Sequence, residues 1–177
     1  MKTVKTIKNI ILDLDMTLIC ALEINDKSYV DRRLKHKVMK NYFKIYSRPY
    51  LQEFLTYLFS NFNVSVWTAA SKDYAMFVIN KFILENNPDR HLKYIFFSYH
   101  CEESAIKTGN SKQINFLKKY CNIKDFTDKN TLIIDDNKDV HDSQPDMCYL
   151  IKQFDCKNPQ SYKDNELSVL ETYLKSI

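Results

Sequence analysis

The stretch from Ile7 to Leu12 includes a compact, isoleucine-rich apolar run that empties into Asp13-Leu14-Asp15-Met16-Thr17. A run this short and this apolar has the composition of a strand covered on both faces, as the strands of parallel sheets are. Alternate side chains of a strand share a face, so Asp13 and Asp15 point into the same space. Two carboxylates at the end of a buried strand are costly to desolvate unless a cation or hydrogen-bond donors compensate. Open α/β sheets bind their ligands at the carboxyl ends of the strands, which is where this pair falls. A lone Asp-x-Asp is more simply a polar turn, so the rest of the chain has to decide.

The rest alternates strands with helices. Residues 19–47 have no clean period. They carry a basic run, Arg32-Arg33-Leu34-Lys35-His36-Lys37, and the aromatics Tyr42, Phe43 and Tyr46, and either a β-hairpin or a short helix fits them. A charge run is in the first instance a solvated face. Arg48-Pro49 opens a helix whose apolar stripe is Leu51, Phe54, Leu55, Leu58 and Phe59. Asn63 to Trp67 reads as a strand ending at Thr68, and Ser71 as the cap of a helix from Lys72 to about Asn86. Tyr94 to Phe97 is a short strand, Gly109-Asn110 a turn, and Ser111 the cap of a helix from Lys112 to about Tyr120. Thr131 to Ile134 is a strand running into Asp135-Asp136. Met147 to Ile151 is the last strand, and Asp164 or Asn165 caps a closing helix. This alternation predicts a parallel sheet with helices on both faces.

With 45% apolar and 14% aromatic residues, the chain is expected to fold as a single domain over residues 1–177. No apolar run is long enough to span a bilayer, and the lysine-interleaved N-terminus lacks a signal-peptide core. A soluble intracellular protein, cytoplasmic or nuclear, with no membrane partner is therefore expected. Five cysteines without Cys-x-x-Cys or zinc spacing are expected to be free thiols. The net charge of +4 leans toward acidic or phosphorylated partners and is too small to imply nucleic acid. A single glycine amid abundant Lys, Asn, Ile, Tyr and Phe is the bias of an AT-rich genome, which says nothing about mechanism.

Four signals fall at strand ends or helix starts: Asp13-x-Asp15-x-Thr17, Thr68, Lys112 and Asp135-Asp136. In a doubly wound sheet such segments converge on one crevice. Four carboxylates there repel one another, and a hard divalent cation is the natural compensation. Mg²⁺ takes few protein carboxylates and keeps positions for water and phosphate. Thr68 and Lys112 would then hold phosphate oxygens, helped by N–H groups at helix N-termini. Gly109, three residues before Lys112, stands where close backbone approach to a ligand would need it.

On these residues the chain resembles the haloacid dehalogenase superfamily of phosphotransferases, and within it the RNA polymerase II CTD phosphatase-like branch (small CTD phosphatases and NLI-interacting factor-like proteins). The resemblance runs through Leu12-Asp-Leu-Asp-Met-Thr-Leu18, Arg48-Pro49, Val66-Trp-Thr-Ala-Ala-Ser71 with Tyr74, Gly109-Asn110 with Lys112, Ile133-Ile-Asp-Asp-Asn137 with Asp139-Val140, and Asn165-Glu-Leu167. It implies a Rossmann-like fold without a large cap domain, 19–47 being a short flap after the first strand. It implies a Mg²⁺-dependent protein serine/threonine phosphatase with Asp13 as nucleophile, forming an aspartyl-phosphate, and Asp15 as general acid and then base. Thr68, Ala69 and Lys112 would hold phosphoryl oxygens. Asp13, the Asp15 carbonyl and the Asp135-Asp136 pair would hold the metal, with Asp136 the preferred direct ligand. The implied partner is a phosphorylated protein such as the RNA polymerase II C-terminal domain, and Arg32, Arg33, Lys35 and Lys37 would steer it. The chain departs from the branch in Met16, where a glutamate is usual, and in the segment Phe97 to Cys101, which lacks the substrate-contacting arginine. A small-molecule or nucleotide phosphatase on the same fold is the alternative, and a non-catalytic phosphopeptide-binding protein a further one.

Overall fold

The computed structural model describes residues 6–177; Met1 to Lys5, part of the N-terminal stretch read above, lie outside the described residues. In chain order the elements are β1 (Asn9–Leu12), β2 (Ile19–Glu23), β3 (His36–Met39), β4 (Phe43–Ser47), α1 (Leu51–Asn61), β5 (Asn63–Trp67) and α2 (Lys72–Val78), which continues as a π-helical segment, Ile79–Leu84. Then come β6 (Ile95–Phe96), α3 (Ser98–Thr108), α4 (Ile114–Tyr120), β7 (Thr131–Asp135), α5 (Lys138–Ser143), β8 (Cys148–Leu150) and α6 (Glu166–Leu174).

Five strands make one sheet in the order β6-β5-β1-β7-β8, every pairing parallel. Its central strand is the isoleucine-rich run. Ile10 and Leu12 pack into a core with residues of α1, α2 and α6, while Ile11 joins Trp67, Ile114, Phe116, Leu117 and Ile133 in the core on the other face. That two-sided burial is why Ile10, Ile11 and Leu12 are apolar in succession rather than at alternate positions. No helix among the described residues is long and apolar enough to cross a membrane.

The insert at 19–47 is neither a lone hairpin nor a helix but a three-stranded antiparallel sheet, β2-β4-β3. It carries its own small core of Cys20, Leu22, Leu34 and Tyr46 with Phe154 and Cys156. Alternation there is blurred because only part of one face is covered. The free-thiol expectation is corrected for one pair: a disulfide joins Cys20 to Cys156, with Cα atoms 5.8 Å apart, while Cys101, Cys121 and Cys148 are free. The two partners are 136 residues apart, so no local spacing could announce them.

Several boundaries also shift. Pro49 precedes α1 by two residues, and Tyr50 at its N-cap sits at φ 64°. Ser71 occupies the N-cap position of α2 without a side-chain capping bond. Lys112 is not on a helix: α4 begins at Ile114, and Gln113, not Ser111, occupies its N-cap position, without a side-chain capping bond. The helix α3 was not foreseen, since Cys101 and Ser104 are its only buried residues and they leave no apolar stripe.

Candidate active site

The three central strands place the chemistry in a row. Leu12 pairs with Val66 of β5 on one side and Ile134 of β7 on the other, so Asp13 and Thr68, which follow the ends of their strands, and Asp135, the last residue of β7, come together at the carboxyl edge of the sheet. The Asp13 N–H donates to the Ile134 carbonyl (3.0 Å), and the Thr68 N–H to that of Phe96 (3.0 Å). After Asp15 the chain turns through Met16 at φ 60° and bridges back to Ile19. Met16 is fastened at both ends, by its N–H to the Ile19 carbonyl (2.7 Å) and by the Phe154 N–H to its own carbonyl (2.7 Å). The residue that departs from the expected glutamate is thus a left-handed hinge packed against the core of the insert.

A cavity of about 670 Å³ opens over these strand ends, and Asp13, Asp15, Thr68, Ala69, Lys112, Asp135 and Asp136 all line it. Ser111, Asn137, Lys138 and Gln153 complete the wall with Ala70, and no residue of 19–47 takes part. The basic run is elsewhere. Arg33 is bound to Asp31 and lies over the Tyr162 ring, Lys37 pairs with Glu85, and Arg32 and Lys35 are exposed.

Lys112 is buried, and its ammonium donates to Asp13 Oδ1 (2.6 Å) and Asp135 Oδ2 (2.7 Å). Its turn is held from both sides. Ser104 Oγ donates to the Asn110 carbonyl (2.7 Å), and Asn110 Nδ2 donates to that of Asp139 (3.1 Å). Gln144, buried behind the turn, donates to the Lys112 carbonyl and accepts from the Ile114 N–H (3.2 Å). Gly109 ends α3 at φ 81°, and an added Cβ would meet nothing within 4 Å. Gly109 is not among the residues that line the cavity, and the left-handed backbone of a helix end is by itself reason for a glycine there.

One ammonium faces three carboxylates. Oxygens of Asp13, Asp135 and Asp136 lie within 4.8 Å of one another. Burial pushes the Asp13 carboxyl up to about 7 against the attraction of Lys112, with Asp135 and Asp136 adding to the rise. Lys112 is held above its ordinary range by Asp13 and Asp135 although burial opposes its charge. Asp135 spends Oδ2 on Lys112 and Oδ1 on the Asn137 N–H (2.9 Å). Asp136 is fixed by Thr17 Oγ1 on Oδ1 (3.1 Å) and by Gln153 Nε2 on Oδ2 (2.8 Å). All-oxygen donors with surplus negative charge fit a hard divalent cation such as Mg²⁺. Asp13 and Asp136 would hold it, Asp13 through Oδ2, since Lys112 takes only its Oδ1 while Asp135 has Lys112 on one oxygen and the Asn137 N–H on the other.

Four further residues contribute: Gln144 and Gln153, which no sequence pattern marks, and Tyr74 and Arg48, which belong to the motifs quoted above without a role assigned to them. Tyr74 donates its hydroxyl to Asp15 Oδ1 (2.6 Å). Arg48 is buried, grips both carboxylate oxygens of Asp164 (2.8 and 2.9 Å), and donates to the carbonyls of Thr17 and Lys152 (2.8 Å each). It ties the Asp13–Thr17 loop to the segment that carries Gln153. Arg48-Pro49 was recognised as a motif, but this tie was not part of that reading.

The family described as NLI interacting factor-like phosphatase matches residues 8–177. A CTD phosphatase-like protein, 355R of Invertebrate iridescent virus 6, is 43% identical over 94% of this chain and 97% of its own length. Its counterpart in Invertebrate iridescent virus 3 is 38% identical over 96% of each. Among solved structures, fission yeast RNA polymerase II CTD phosphatase Fcp1 bound to beryllium fluoride superposes with a TM-score of 0.63 at 18% identity. That match covers 96% of this chain and 62% of the yeast one, so the likeness is of fold.

Proposed function

Because the chain belongs to the NLI interacting factor-like phosphatase family, within the haloacid dehalogenase fold, we propose that it is a protein serine/threonine phosphatase with Asp13 as nucleophile. The observation that carries this reading is Asp13 at the floor of a cavity, in contact with Lys112, with Asp15 two residues on along the same wall. An Asp13 oxygen attacks phosphorus, the ester P–O bond breaks, and Asp15 gives its proton to the departing serine or threonine oxygen. Water then attacks the aspartyl-phosphate while Asp15 takes its proton back, releasing phosphate and restoring Asp13.

Lys112, the Ala69 N–H and the Thr68 hydroxyl, all on the cavity wall, receive the phosphoryl oxygens. Burial raises the Asp15 carboxyl, opposed by the hydrogen bond from Tyr74, which favours a group that holds a proton to give. A bound Mg²⁺ supplies counter-charge to the transferring phosphoryl group. A cavity wall free of residues from 19–47 favours a substrate presented on a protein segment. The viral relatives are called CTD phosphatase-like, so a phosphorylated RNA polymerase II C-terminal domain is the substrate this reading takes first.

A panel of phosphoserine and phosphothreonine peptides set beside phosphorylated sugars and nucleotides tests the reading. Peptides are expected to show the higher kcat/KM, since remote contacts contribute to transition-state binding. With Asp15→Asn and an aryl phosphate, a burst of phenol and trapped phospho-Asp13 are expected, and neither with Asp13→Asn. A metabolite turned over more than about tenfold faster than every peptide would make the chain a small-molecule phosphatase, a selectivity easily reached through transition-state binding. Peptide binding without turnover would make it a phosphopeptide-binding protein.

A further inference from the structure

Tyr74 stands in the first turn of α2, and its hydroxyl ends on the carboxyl that the proposed reaction needs as acid. Its O–H donates to Asp15 Oδ1 at 2.6 Å, the short length of a charge-assisted bond. The ring does not reach there by chance rotation. Phe43 of β4 meets it edge-on, with centroids 5.6 Å apart and planes at 85°, and both rings pack against the main core. Asp15 itself is rigid in the backbone, bridged to Ile19 and followed by the left-handed Met16. Its Oδ2 takes no hydrogen bond from any described residue, while Asp15 lines the cavity. Burial holds the Tyr74 phenol far above its ordinary range, and the charge of Asp15 adds to the rise, so the hydroxyl keeps its proton and donates it to Oδ1.

We infer that Tyr74 is a positioning residue for proton transfer: it fixes the Asp15 carboxyl so that the proton sits on Oδ2, toward the leaving oxygen, and the flap at 19–47 holds Tyr74 in place through Phe43. The inference rests on Asp15 being the proton donor. A donor hydrogen bond on Oδ1 makes that oxygen the poorer seat for a proton, which leaves Oδ2 to carry it. Fixing one rotamer also removes the search for alignment as the ester bond breaks. The flap then has a part in the chemistry without lining the cavity. A leaving alkoxide needs its proton at that moment and a nitrophenolate does not, so the contribution of Tyr74 should depend on the leaving group.

The test is a series of alkyl and aryl phosphates of graded leaving-group basicity, assayed with the full chain in excess Mg²⁺. The Tyr74→Phe substitution keeps the ring against Phe43 and removes only the hydroxyl. It is expected to lower kcat/KM on the alkyl esters, which reads the step in which the leaving group departs, about tenfold to a hundredfold, the scale of one lost charge-assisted hydrogen bond. The kcat/KM and burst rate of the nitrophenyl ester should change by less than about threefold, and any loss in the later hydrolysis of the aspartyl-phosphate should be the same for every ester, so the leaving-group dependence is read from kcat/KM. On an Asp15→Asn background Tyr74→Phe should have no further effect, because a residue acting through Asp15 has nothing left to position. Phe43→Leu should produce the same leaving-group dependence at smaller amplitude. Equal loss on every ester, an unchanged dependence in Tyr74→Phe, or losses that add on the Asp15→Asn background would each overturn the role while leaving the phosphatase reading intact. A wild-type chain that cleaves no ester of the series would instead bring down that reading, and the role of Tyr74 with it.

Discussion

Asp13→Asn is expected to abolish turnover and, above neutral pH without metal, to make the protein more stable. The Asp13 carboxyl is raised from 3.8 to about 7, burial being the largest cause and Lys112 opposing it. At 1.36 kcal/mol per unit, ionising it in the folded chain costs about 4 kcal/mol more than in the unfolded one. A folded value above the unfolded one means that its contribution is fully present below pH 4 and is lost as pH rises through 7. Asparagine keeps an oxygen for the Lys112 ammonium and never ionises, so it escapes this loss. Urea unfolding in excess chelator from pH 4 to 8 is the assay. The two proteins should be of similar stability at pH 4, and the variant should lead by about 2–4 kcal/mol at pH 8. With urea slopes of about 1–3 kcal/mol/M, that is a midpoint difference of the order of 1–2 M. Adding Mg²⁺ at pH 8 should close most of the gap, because the cation binds the ionised wild-type site. Parallel curves across the whole range, or a variant that is the weaker at pH 8, would refute the claim that Asp13 is ionised against its surroundings.

Two further outcomes follow from the same geometry. Chelation of divalent cations should abolish turnover and Mg²⁺ restore it, with Asp136→Ala raising the Mg²⁺ concentration needed by about tenfold or more, the scale on which even outer partners of a metal site act; full activity in chelator would remove the metal from the mechanism. Arg48→Met should cost about 3–5 kcal/mol in urea unfolding, because it removes a fully buried guanidinium together with its two bonds to the half-buried Asp164 carboxylate and leaves the Thr17 and Lys152 carbonyls without that donor; a loss below about 1 kcal/mol, the range of an exposed ion pair, would mean that Arg48 is not the tie between the Thr17 and Lys152 segments.

How far the sequence reached depends on the range of the pattern that carried each feature. The strand before Asp13 was legible because burial on both faces leaves an unbroken apolar run, and Thr68 and Asp135 because each directly follows such a run. Parallel pairing of those runs brings their ends together, so the row Thr68, Asp13, Asp135 is a consequence of three local signals. Lys112 was picked out, but its turn was mistaken for a helix start because Ser111 has capping chemistry and nothing nearby says that Gln113 takes the N-cap position instead. What only the tertiary structure decided was set by contacts across long stretches of chain. Tyr74 meets Asp15, Gln144 braces Lys112, Gln153 fixes Asp136, Arg48 grips Asp164, and Cys20 pairs with Cys156. Each is a polar or sulfur contact made by one side chain without periodicity, and its partner is chosen by how the loops pack after the sheet has formed. Hydrophobic period records which face is buried; it holds no record of which hydrogen-bond donor ends beside which acceptor.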